Sequence, residues 1–258
     1  MPELPDVETY RRYLARKVLH KKVADVEIKD HMILGSSEAS ILSIIGKRFK
    51  DTARHGKHCF LELTGGGFLA LHFGMTGGVE YREKGKGSSE HVRLVISFSG
   101  GAAFAFIDMR RLGRIRVVKS MQDFILKNGL GPDALSVGRK DFENVITSWK
   151  GMIKALLMDQ RQIAGLGNIY CDEILYHSGT NPRKSTSKLD GSEIDRIYNS
   201  MKKVLKAAIQ RRADSGRMPA NYLLRRRKKG ASCGLDGGKI ERVKVGGRST
   251  YYCTSHQK

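Results

Sequence analysis

The spacing of apolar residues changes once along the chain, and this change constrains the fold more than any other feature. From about Val23 to Val118, apolar and polar residues alternate in short runs, and glycine clusters separate the runs. This pattern is typical of antiparallel strands joined by hairpins. From Lys140 to about Arg212, helical patterning dominates instead. The sequence therefore predicts an α+β chain, with a mainly antiparallel β domain followed by a helical domain.

Turn residues and a basic run set the predicted boundaries. An amphipathic basic helix follows Pro5, a residue that suits a first helical turn. Turn chemistry in residues 128–133 precedes the helical part, and the basic run 225–229 precedes a glycine-rich tail that reads as a two-strand ribbon. We therefore predict three parts, at residues 1–130, 131–224 and 225–258.

The charge of the chain indicates its partner. Lys and Arg total 47 against 26 Asp and Glu, which gives a formal net charge of +21. Such an excess favours a polyanion, and nucleic acid in particular, but it does not separate DNA from RNA or an enzyme from a binding protein. No apolar run approaches the length of a membrane span, and no signal peptide core is present. We expect no membrane partner and an intracellular location, in the cytoplasm or nucleoid, or in the nucleus of a eukaryote.

The N-terminus carries a candidate nucleophile. Removal of Met1 before the small residue Pro2 would leave a secondary amine, and an α-amino group keeps an appreciable neutral fraction near neutral pH. Attack of such an amine on a sugar C1′ gives an iminium ion that acidifies the C2′ proton. The adjacent Glu3 could move protons in this chemistry. The alternative interpretation is structural, because a proline before a helix commonly serves only as its start.

Six segments, in order, carry a resemblance that covers nearly the whole chain. They are MPELPDVE, ARHGKHCFLEL, LHFGMTGG, IDMRRLGR, DQRQIAGLGNIYCDEIL and VGGRSTYYC. Together they resemble the formamidopyrimidine-DNA glycosylase and endonuclease VIII family. The resemblance implies an N-terminal β-sandwich with an N-terminal helix, a helical domain with a helix–two-turn–helix, and a zinc-finger-like β-ribbon. It also implies a monomeric base excision repair enzyme that acts on damaged or abasic double-stranded DNA, with glycosylase and abasic-site lyase activities.

The resemblance assigns three catalytic residues. Pro2 matches the nucleophile that forms the iminium intermediate before β/δ-elimination, and Glu3 matches the acid/base. Lys57 matches a lysine that contacts the phosphate beside the lesion, although a solvated turn lysine is the alternative. Asp6 stands where the family usually has glutamate, and we assign it no catalytic role.

Further positions match DNA contacts. Removing a base from a duplex requires its extrusion, and the resemblance implies that Met75, Arg110 and Leu112 fill the hole left behind. Leu112 departs from the phenylalanine common in the formamidopyrimidine branch, which leaves the opposite-base preference open. Met75 and Leu112 could otherwise be core residues.

The helical part contains a predicted helix from Lys154 to Gln162, a glycine turn at 164–167 and a second helix from Ile169. Asn168 stands at the start of that second helix, where it could cap the helix, bind a DNA phosphate, or do both. Arg248 matches the phosphate-binding arginine of the ribbon.

The ribbon also carries a candidate metal site. Cys233, Asp236, Cys253 and His256 align with the family's four zinc ligands. Histidine is an ordinary zinc ligand and aspartate a rarer one, so we predict one structural zinc ion, with a relic of a lost site as the alternative. The basic run 225–229 is predicted to contact the DNA backbone, with a solvated basic face or a nuclear-type signal as the alternatives. The other two cysteines have no partner pattern and are predicted core residues.

The preferred lesion stays open. Residues 213–233 form a stretch that looks too short for the loop covering 8-oxoguanine in one bacterial branch. Formamidopyrimidines, oxidised pyrimidines, hydantoins and abasic sites all remain candidates. Two other classes of function were weighed: a non-catalytic damaged-DNA-binding protein, which the Pro2-Glu3 pair argues against, and an RNA-binding protein, in which the void-filling residues would have no purpose.

Overall fold

A computed structural model describes residues 1–83 and 90–258. Residues 84–89, within the predicted strand-rich part, lie outside the described residues. The chain forms two compact units, one of residues 1–2 and 6–128 and the other of residues 3–5 and 129–258. The domain limits given above stay predictions. The helices are α1 (Leu4–Val18), α2 (Glu38–Leu42), α3 (Met121–Lys127), α4 (Arg139–Ser148), α5 (Ile153–Met158), α6 (Asn168–Ser178) and α7 (Gly191–Gln210).

The first unit is a β-sandwich, which confirms the predicted fold class. One antiparallel sheet has the order β1-β6-β7-β5 and the other β2-β3-β4-β8. Alternate residues of both sheets form one apolar core. The strands are β1 (Val23–Ile28), β2 (Phe49–His55), β3 (His58–Leu63), β4 (Phe68–His72), β5 (Gly77–Arg82), β6 (Val92–Phe98), β7 (Ala103–Asp108) and β8 (Arg114–Val118).

The second sheet is covered on both faces. Cys59 and Leu61 of β3 point into the sandwich core and are fully buried. Phe60, between them, must point to the opposite face, yet it is fully buried as well. Helix α3 accounts for this, because its Phe124 packs edge-on against Phe60 with ring centroids 5.4 Å apart. The outer face of this sheet therefore has a partly closed surface of its own.

The second unit is built on helices α4 to α7 around a separate apolar core. Helix α7 begins with a capping box, in which the Asp190 side chain accepts the Glu193 N–H and the Glu193 side chain accepts the Asp190 N–H. Helix α5 is shorter than predicted and ends at Met158. Its end follows from Asp159, whose carboxylate accepts the Arg161 N–H and so forms a turn that competes with the helix.

The predicted ribbon is present at the end of the chain. Strands β9 (Ile240–Val245) and β10 (Arg248–Cys253) pair antiparallel through a two-residue turn. Both turn residues, Gly246 and Gly247, have positive φ angles of 54° and 74°, a conformation that glycine adopts without strain. None of the helices in the described residues is both long and apolar enough to cross a bilayer.

The outer face of the β2-β3-β4-β8 sheet predicts a pH-dependent stability. Burial, with a smaller contribution from nearby cationic groups, lowers the pKa of His58 to about 3 and that of His72 to about 4. Unfolded histidine titrates at about 6.5. Between these values the unfolded chain binds more protons than the folded chain, so the free energy of unfolding falls as the pH is lowered through this window.

The free energy of unfolding of the wild type should fall between pH 7 and pH 4. In the double variant His58→Gln/His72→Gln this fall should be about 1–3 kcal/mol smaller. Urea unfolding followed at several pH values measures this difference. His31→Gln, which changes an exposed histidine, is the control. Equal pH slopes for the wild type and the double variant would show that the two imidazoles titrate normally.

Candidate active site

Pro2 lies directly before helix α1 and is half-buried. In the full chain its nitrogen is part of the peptide bond with Met1, so the amine exists only after Met1 is removed. Met1 is 51% exposed and therefore open to processing. The catalytic role of Pro2 stays a prediction at this stage.

Glu3 is held by backbone amides. Its side chain is buried, and its Oε2 accepts N–H groups from Gly167 at 2.7 Å and Tyr170 at 3.2 Å. Its Oε1 accepts the Ile169 N–H at 2.9 Å. These donors form the N-terminal turn of α6, where the helix dipole also favours a negative charge. The arrangement stabilises the ionised carboxylate.

The glycine turn before α6 is explained by this contact. A Cβ on Gly167 would lie 2.4 Å from Cδ of Glu3, and one on Gly165 would lie 2.6 Å from Cδ1 of Leu4. Gly165 also has a φ of +115°, which other residues rarely adopt. The sequence analysis placed an anion at the N-terminus of α6. The structure shows that the protein's own Glu3 occupies three of its N–H groups.

Lys57 lies in the two-residue turn between β2 and β3. The turn begins at Gly56, which has a φ of +54°. Lys57 is half-buried, and its charge contributes, after burial, to the low pKa of His72. It thus belongs to a positively charged end of the sheet. Its contact with a DNA phosphate stays a prediction.

The three predicted void-filling residues project from two adjoining loops of the first unit. Met75 is 39% exposed and Leu112 is 42% exposed, so the alternative that they are core residues does not apply. The loops meet because the Arg110 N–H donates to Oγ1 of Thr76 at 3.0 Å. A Cβ on Gly74 would lie 2.5 Å from the Leu112 carbonyl carbon, so only glycine allows this approach.

Asp108 joins these loops and was not singled out from the sequence. It is fully buried, and its carboxylate accepts the Thr76 hydroxyl at 2.5 Å and the Gly113 N–H at 2.6 Å. It thereby holds both sides of the Arg110 loop. The sequence does carry a signal for this role, because Asp108 is the only acid in the apolar segment AFAFID and stands at its end.

Asn168 is the first residue of α6 and does not cap it, since the cap position is Gly167 and the N–H groups of this end are bonded to Glu3 instead. Its amide Nδ2 donates to the Ser249 carbonyl at 3.0 Å, and its Oδ1 accepts from Nζ of Lys154 at 2.7 Å. The capping alternative is therefore wrong. The side chain is fixed against the ribbon by two bonds, and its phosphate contact stays a prediction.

Lys154 is the centre of this network and is fully buried. Its Nζ lies 2.6 Å from Oδ1 of Asp172, which is also buried, and donates to Oγ1 of Thr250 at 2.6 Å. Asp172 further accepts the Tyr251 N–H at 3.1 Å. The network connects helices α5 and α6 with β10. A charged residue in the apolar segment IKALLM was the sequence signal for it.

Arg248 begins β10 and is exposed beside the glycine turn of the ribbon. This leaves its guanidinium accessible to an anion, as the predicted role requires. The neighbouring Ser249 accepts from Asn168, so the position of Arg248 depends on the same network. The structure thus places the two predicted phosphate contacts of the second unit close together along the ribbon.

The three arginines of the basic run 225–229 make hydrogen bonds within the protein, and the contact of this run with the DNA backbone stays a prediction. Arg225 donates to the carbonyls of Gly216 and Met218, and Arg226 donates to backbone carbonyls as well. Arg227 pairs with Asp172 at 2.6 Å. These guanidiniums stabilise the approach to the ribbon, whereas the two lysines that follow are exposed.

The four predicted metal ligands come together in the second unit. The ligand atoms of Cys233, Asp236, Cys253 and His256 all lie within 4.8 Å of one another, and both thiols are buried. Nε2 of His256 lies 2.9 Å from the Tyr176 carbonyl, which can only accept. His256 must therefore protonate Nε2, which leaves the Nδ1 lone pair for the cluster. The four residues form a potential metal-binding group.

Local packing supports the same group. The Leu235 N–H donates to Sγ of Cys233, as backbone amides do to a thiolate. A Cβ on Gly238 would lie 3.0 Å from Sγ of Cys253, so the loop needs glycine there. The other two cysteines, Cys59 and Cys171, are fully buried in the two apolar cores.

The β-sandwich, the glycine turn before α6 and the ribbon match a known class of DNA repair proteins. The family model of the formamidopyrimidine-DNA glycosylase N-terminal domain matches residues 1–115, and that of the formamidopyrimidine-DNA glycosylase H2TH domain matches residues 130–219. The chain therefore belongs to the formamidopyrimidine-DNA glycosylase and endonuclease VIII family.

Individual relatives match over their whole length. The chain is 35% identical to a formamidopyrimidine-DNA glycosylase of Pelotomaculum thermopropionicum, over 100% of this chain and 99% of the relative. It is 32% identical to one of Streptococcus mutans, over 100% of both. A Lactococcus lactis enzyme solved with DNA containing FAPY-dG superposes with a TM-score of 0.90, at 27% identity, over 99% of this chain and 100% of that chain. The same enzyme with DNA containing an abasic site gives 0.89 at 27% identity, with 99% of both chains covered.

The buried lysine network generates a prediction. In Asp172→Asn, the Lys154 ammonium keeps its burial and loses its carboxylate, which costs about 3–5 kcal/mol. Lys154→Met/Asp172→Leu removes both charges and should be markedly more stable than the single variant. Its DNA affinity should still fall, because Asn168 loses a hydrogen bond partner. Urea unfolding and DNA titration measure the two effects.

Asp195→Asn is the control, since Asp195 pairs with Arg139 at the surface and exposed pairs contribute little. If Asp172→Asn unfolded at the same urea concentration as the wild type, the ion pair would not be a support of the second unit.

Proposed function

We propose that this protein is a base excision repair DNA glycosylase with abasic-site lyase activity, acting through the amine of Pro2. The observation that carries the proposal is the Glu3 carboxylate, buried and bonded to three backbone N–H groups, one residue from that amine. A helix start alone would give no reason to bury a carboxylate there. Family membership adds the substrate class, which is damaged double-stranded DNA.

The geometry of Glu3 sets the order of proton transfers. An ionised Glu3 accepts the proton of the Pro2 ammonium, which frees the nitrogen lone pair for attack on C1′ of the damaged nucleotide. The N–C1′ bond forms and the glycosidic bond breaks, and the proton left on the proline nitrogen passes to the departing base, which leaves as a neutral molecule. The protonated Glu3 then delivers its proton to the ring oxygen as the ring opens to the iminium ion.

The lyase steps use the same groups. With the iminium ion formed, the ionised Glu3 takes the C2′ proton, and the electron pair expels the 3′ phosphate in β-elimination. A second elimination expels the 5′ phosphate. Hydrolysis of the remaining iminium releases the amine of Pro2. Lys57 is proposed to hold the phosphate beside the lesion during these steps.

The exposed residues around the two adjoining loops have a separate task. Met75 and Leu112 would fill the space left by the extruded nucleotide, and Arg110 would bond to the orphaned base. Asn168 and Arg248 would hold phosphates from the side of the second unit. Ring-opened purines and abasic sites are the proposed first substrates, since relatives carry the formamidopyrimidine name and one was solved with each kind of DNA.

The ribbon is proposed to bind one structural zinc ion through Cys233, Asp236, Cys253 and His256. A tetrahedral ion bound at about 2.0–2.3 Å requires ligand atoms about 3.3–3.8 Å apart. Sγ of Cys233 lies 3.7 Å from Nδ1 of His256, and Sγ of Cys253 lies 3.7 Å from Oδ2 of Asp236. None of the steps above passes through this ion. We further propose that the protein acts as a monomer inside the cell.

Covalent trapping tests the nucleophile. Borohydride reduces an iminium to a stable amine, so the wild type should form a covalent adduct with a duplex containing an abasic site. Pro2→Gly still permits removal of Met1 but replaces the secondary amine, and it should trap much more slowly. Glu3→Gln should reduce the rate by about 10²–10⁴. Binding of the same duplex should persist in both variants.

Lys203→Gln, an exposed position on α7, is the control for loss of a surface charge. If Pro2→Gly trapped as fast as the wild type, the nucleophile would be another residue. Binding without any adduct would instead identify a damaged-DNA-binding protein, and clear preference for structured RNA over the duplex would reject the DNA repair function.

Metal analysis tests the ribbon. We expect one zinc ion per chain, a lower unfolding temperature after chelation, and weaker zinc binding in His256→Ala. Asp236→Cys should bind zinc more tightly, because thiolate is the softer ligand. Competition with a chromophoric chelator measures the affinities, and Asp195→Asn is the control. A chain that binds no zinc and unfolds at the same temperature with and without chelator would show that the ribbon is held by packing alone.

A further inference from the structure

A cavity of about 190 Å³ lies on the outer face of the β2-β3-β4-β8 sheet, and none of the site residues assigned above lines it. It is formed entirely within the first unit. Its walls come from β3, β4, β8 and the segment containing α3. The lining residues are His58, Ala70, His72, Arg114, Arg116, Phe124 and Asn128.

The strand register explains why these side chains share one face. His58 pairs with His72, and His72 pairs with Arg114, so the three form a row across three strands. Two residues further along, Ala70 pairs with Arg116 and points to the same face. The side chain of Ala70 is small and leaves space at the bottom of the cavity. Phe124 of α3 closes one side, with its ring centroid 5.0 Å from that of His58.

Two arginines give the cavity a positive charge that no acidic side chain among the described residues of its lining balances. Among the described residues, neither Arg114 nor Arg116 has a carboxylate within ion-pair distance, and no acidic residue lines the cavity. Nη1 of Arg114 donates to two backbone carbonyls, which fixes its position and leaves its charge unpaired. Arg116 lies over the Phe124 ring at 5.8 Å. Holding two guanidiniums beside one cavity is unfavourable unless an anion enters it.

The histidines supply neutral donors. Burial lowers the pKa of both His58 and His72, so each is a neutral imidazole with one N–H at neutral pH. Nδ1 of His58 is buried and has no hydrogen bond partner in the part of the chain that the structure describes. A buried polar atom without a partner costs free energy, and a water molecule or an anion oxygen in the cavity would satisfy it.

We infer that this cavity binds a phosphate group, with Arg114 and Arg116 as its charged ligands and His58 as a neutral one. A volume of about 190 Å³ is ample for a phosphate group. Guanidinium forks match the oxygens of a phosphate better than any other side chain.

The position of the cavity assigns the phosphate to the DNA backbone. His58 directly follows Lys57, Met75 lies three residues after His72, and Leu112 lies two residues before Arg114. The cavity therefore opens at the end of the sheet from which the proposed DNA contacts project. This assignment of the source rests on the proposed function, whereas the phosphate site itself does not.

Inorganic phosphate tests the site directly. Titration of the wild type should shift the imidazole NMR signals of His58 and His72 in a saturable way. Arg114→Gln/Arg116→Gln should abolish the saturable shift, and Arg116→Lys should retain part of it. Circular dichroism and thermal unfolding verify that the variants are folded. A wild type whose imidazole signals do not respond to phosphate would overturn the inference.

Neutral methylphosphonate linkages, placed one at a time along an abasic duplex, test the source. In the wild type, a methylphosphonate linkage at one or two positions near the lesion should weaken DNA binding, because the phosphate that enters this cavity has lost its charge. In Arg114→Gln/Arg116→Gln, the same linkages should have no effect on binding. The slope of log affinity against log salt for this variant should also be smaller by about 1. Lys203→Gln/Lys206→Gln removes two charges elsewhere and should leave the positional pattern unchanged.

The outcomes separate the two proposals. Phosphate binding with an unchanged methylphosphonate pattern in the arginine variant would support the site and overturn its assignment to DNA, leaving free phosphate as the ligand. Borohydride trapping with the same duplex is measured in parallel. Its failure in the wild type would overturn the proposed glycosylase function, while the phosphate titration would still decide on the cavity.

Discussion

The contact between the Glu3 carboxylate and the first turn of α6 is the interaction on which the rest of this structure depends. It fixes the residue that follows the terminal proline, and it uses three N–H groups that a helix start would otherwise leave without protein partners. The glycines at 165 and 167 exist to admit residues 3 and 4. A nucleophile at a chain terminus would ordinarily be mobile, and this contact holds its neighbour in place.

Two buried acids play a similar part away from the terminus. Asp108 fixes the loop that carries Arg110 and Leu112, and Asp172 holds Lys154 against Asn168. Both acids are buried, and each fixes residues that are proposed to contact DNA.

The sequence was sufficient to predict the antiparallel β part, the helical part and the ribbon, because hydrophobic period and glycine turns are local signals. The sandwich and the four ribbon ligands were predicted from the family resemblance, and the structure brings these four residues together. The sequence missed the roles of Asp108 and Lys154, since partners distant in sequence decide whether a buried charge is stable. The sequence also did not reveal the carbonyls and the carboxylate that Arg225 to Arg227 meet, because these partners are specified only by the fold.

Peptide mapping of the borohydride-reduced complex is the most direct test of the central claim, that the amine beside Glu3 is the nucleophile. Trypsin digestion of the adduct with an abasic duplex, followed by nuclease treatment and tandem mass spectrometry, identifies the modified residue. The account predicts a reduced sugar adduct on the peptide that begins at Pro2 and ends at Arg11. An adduct on an internal lysine, such as Lys57, would contradict it.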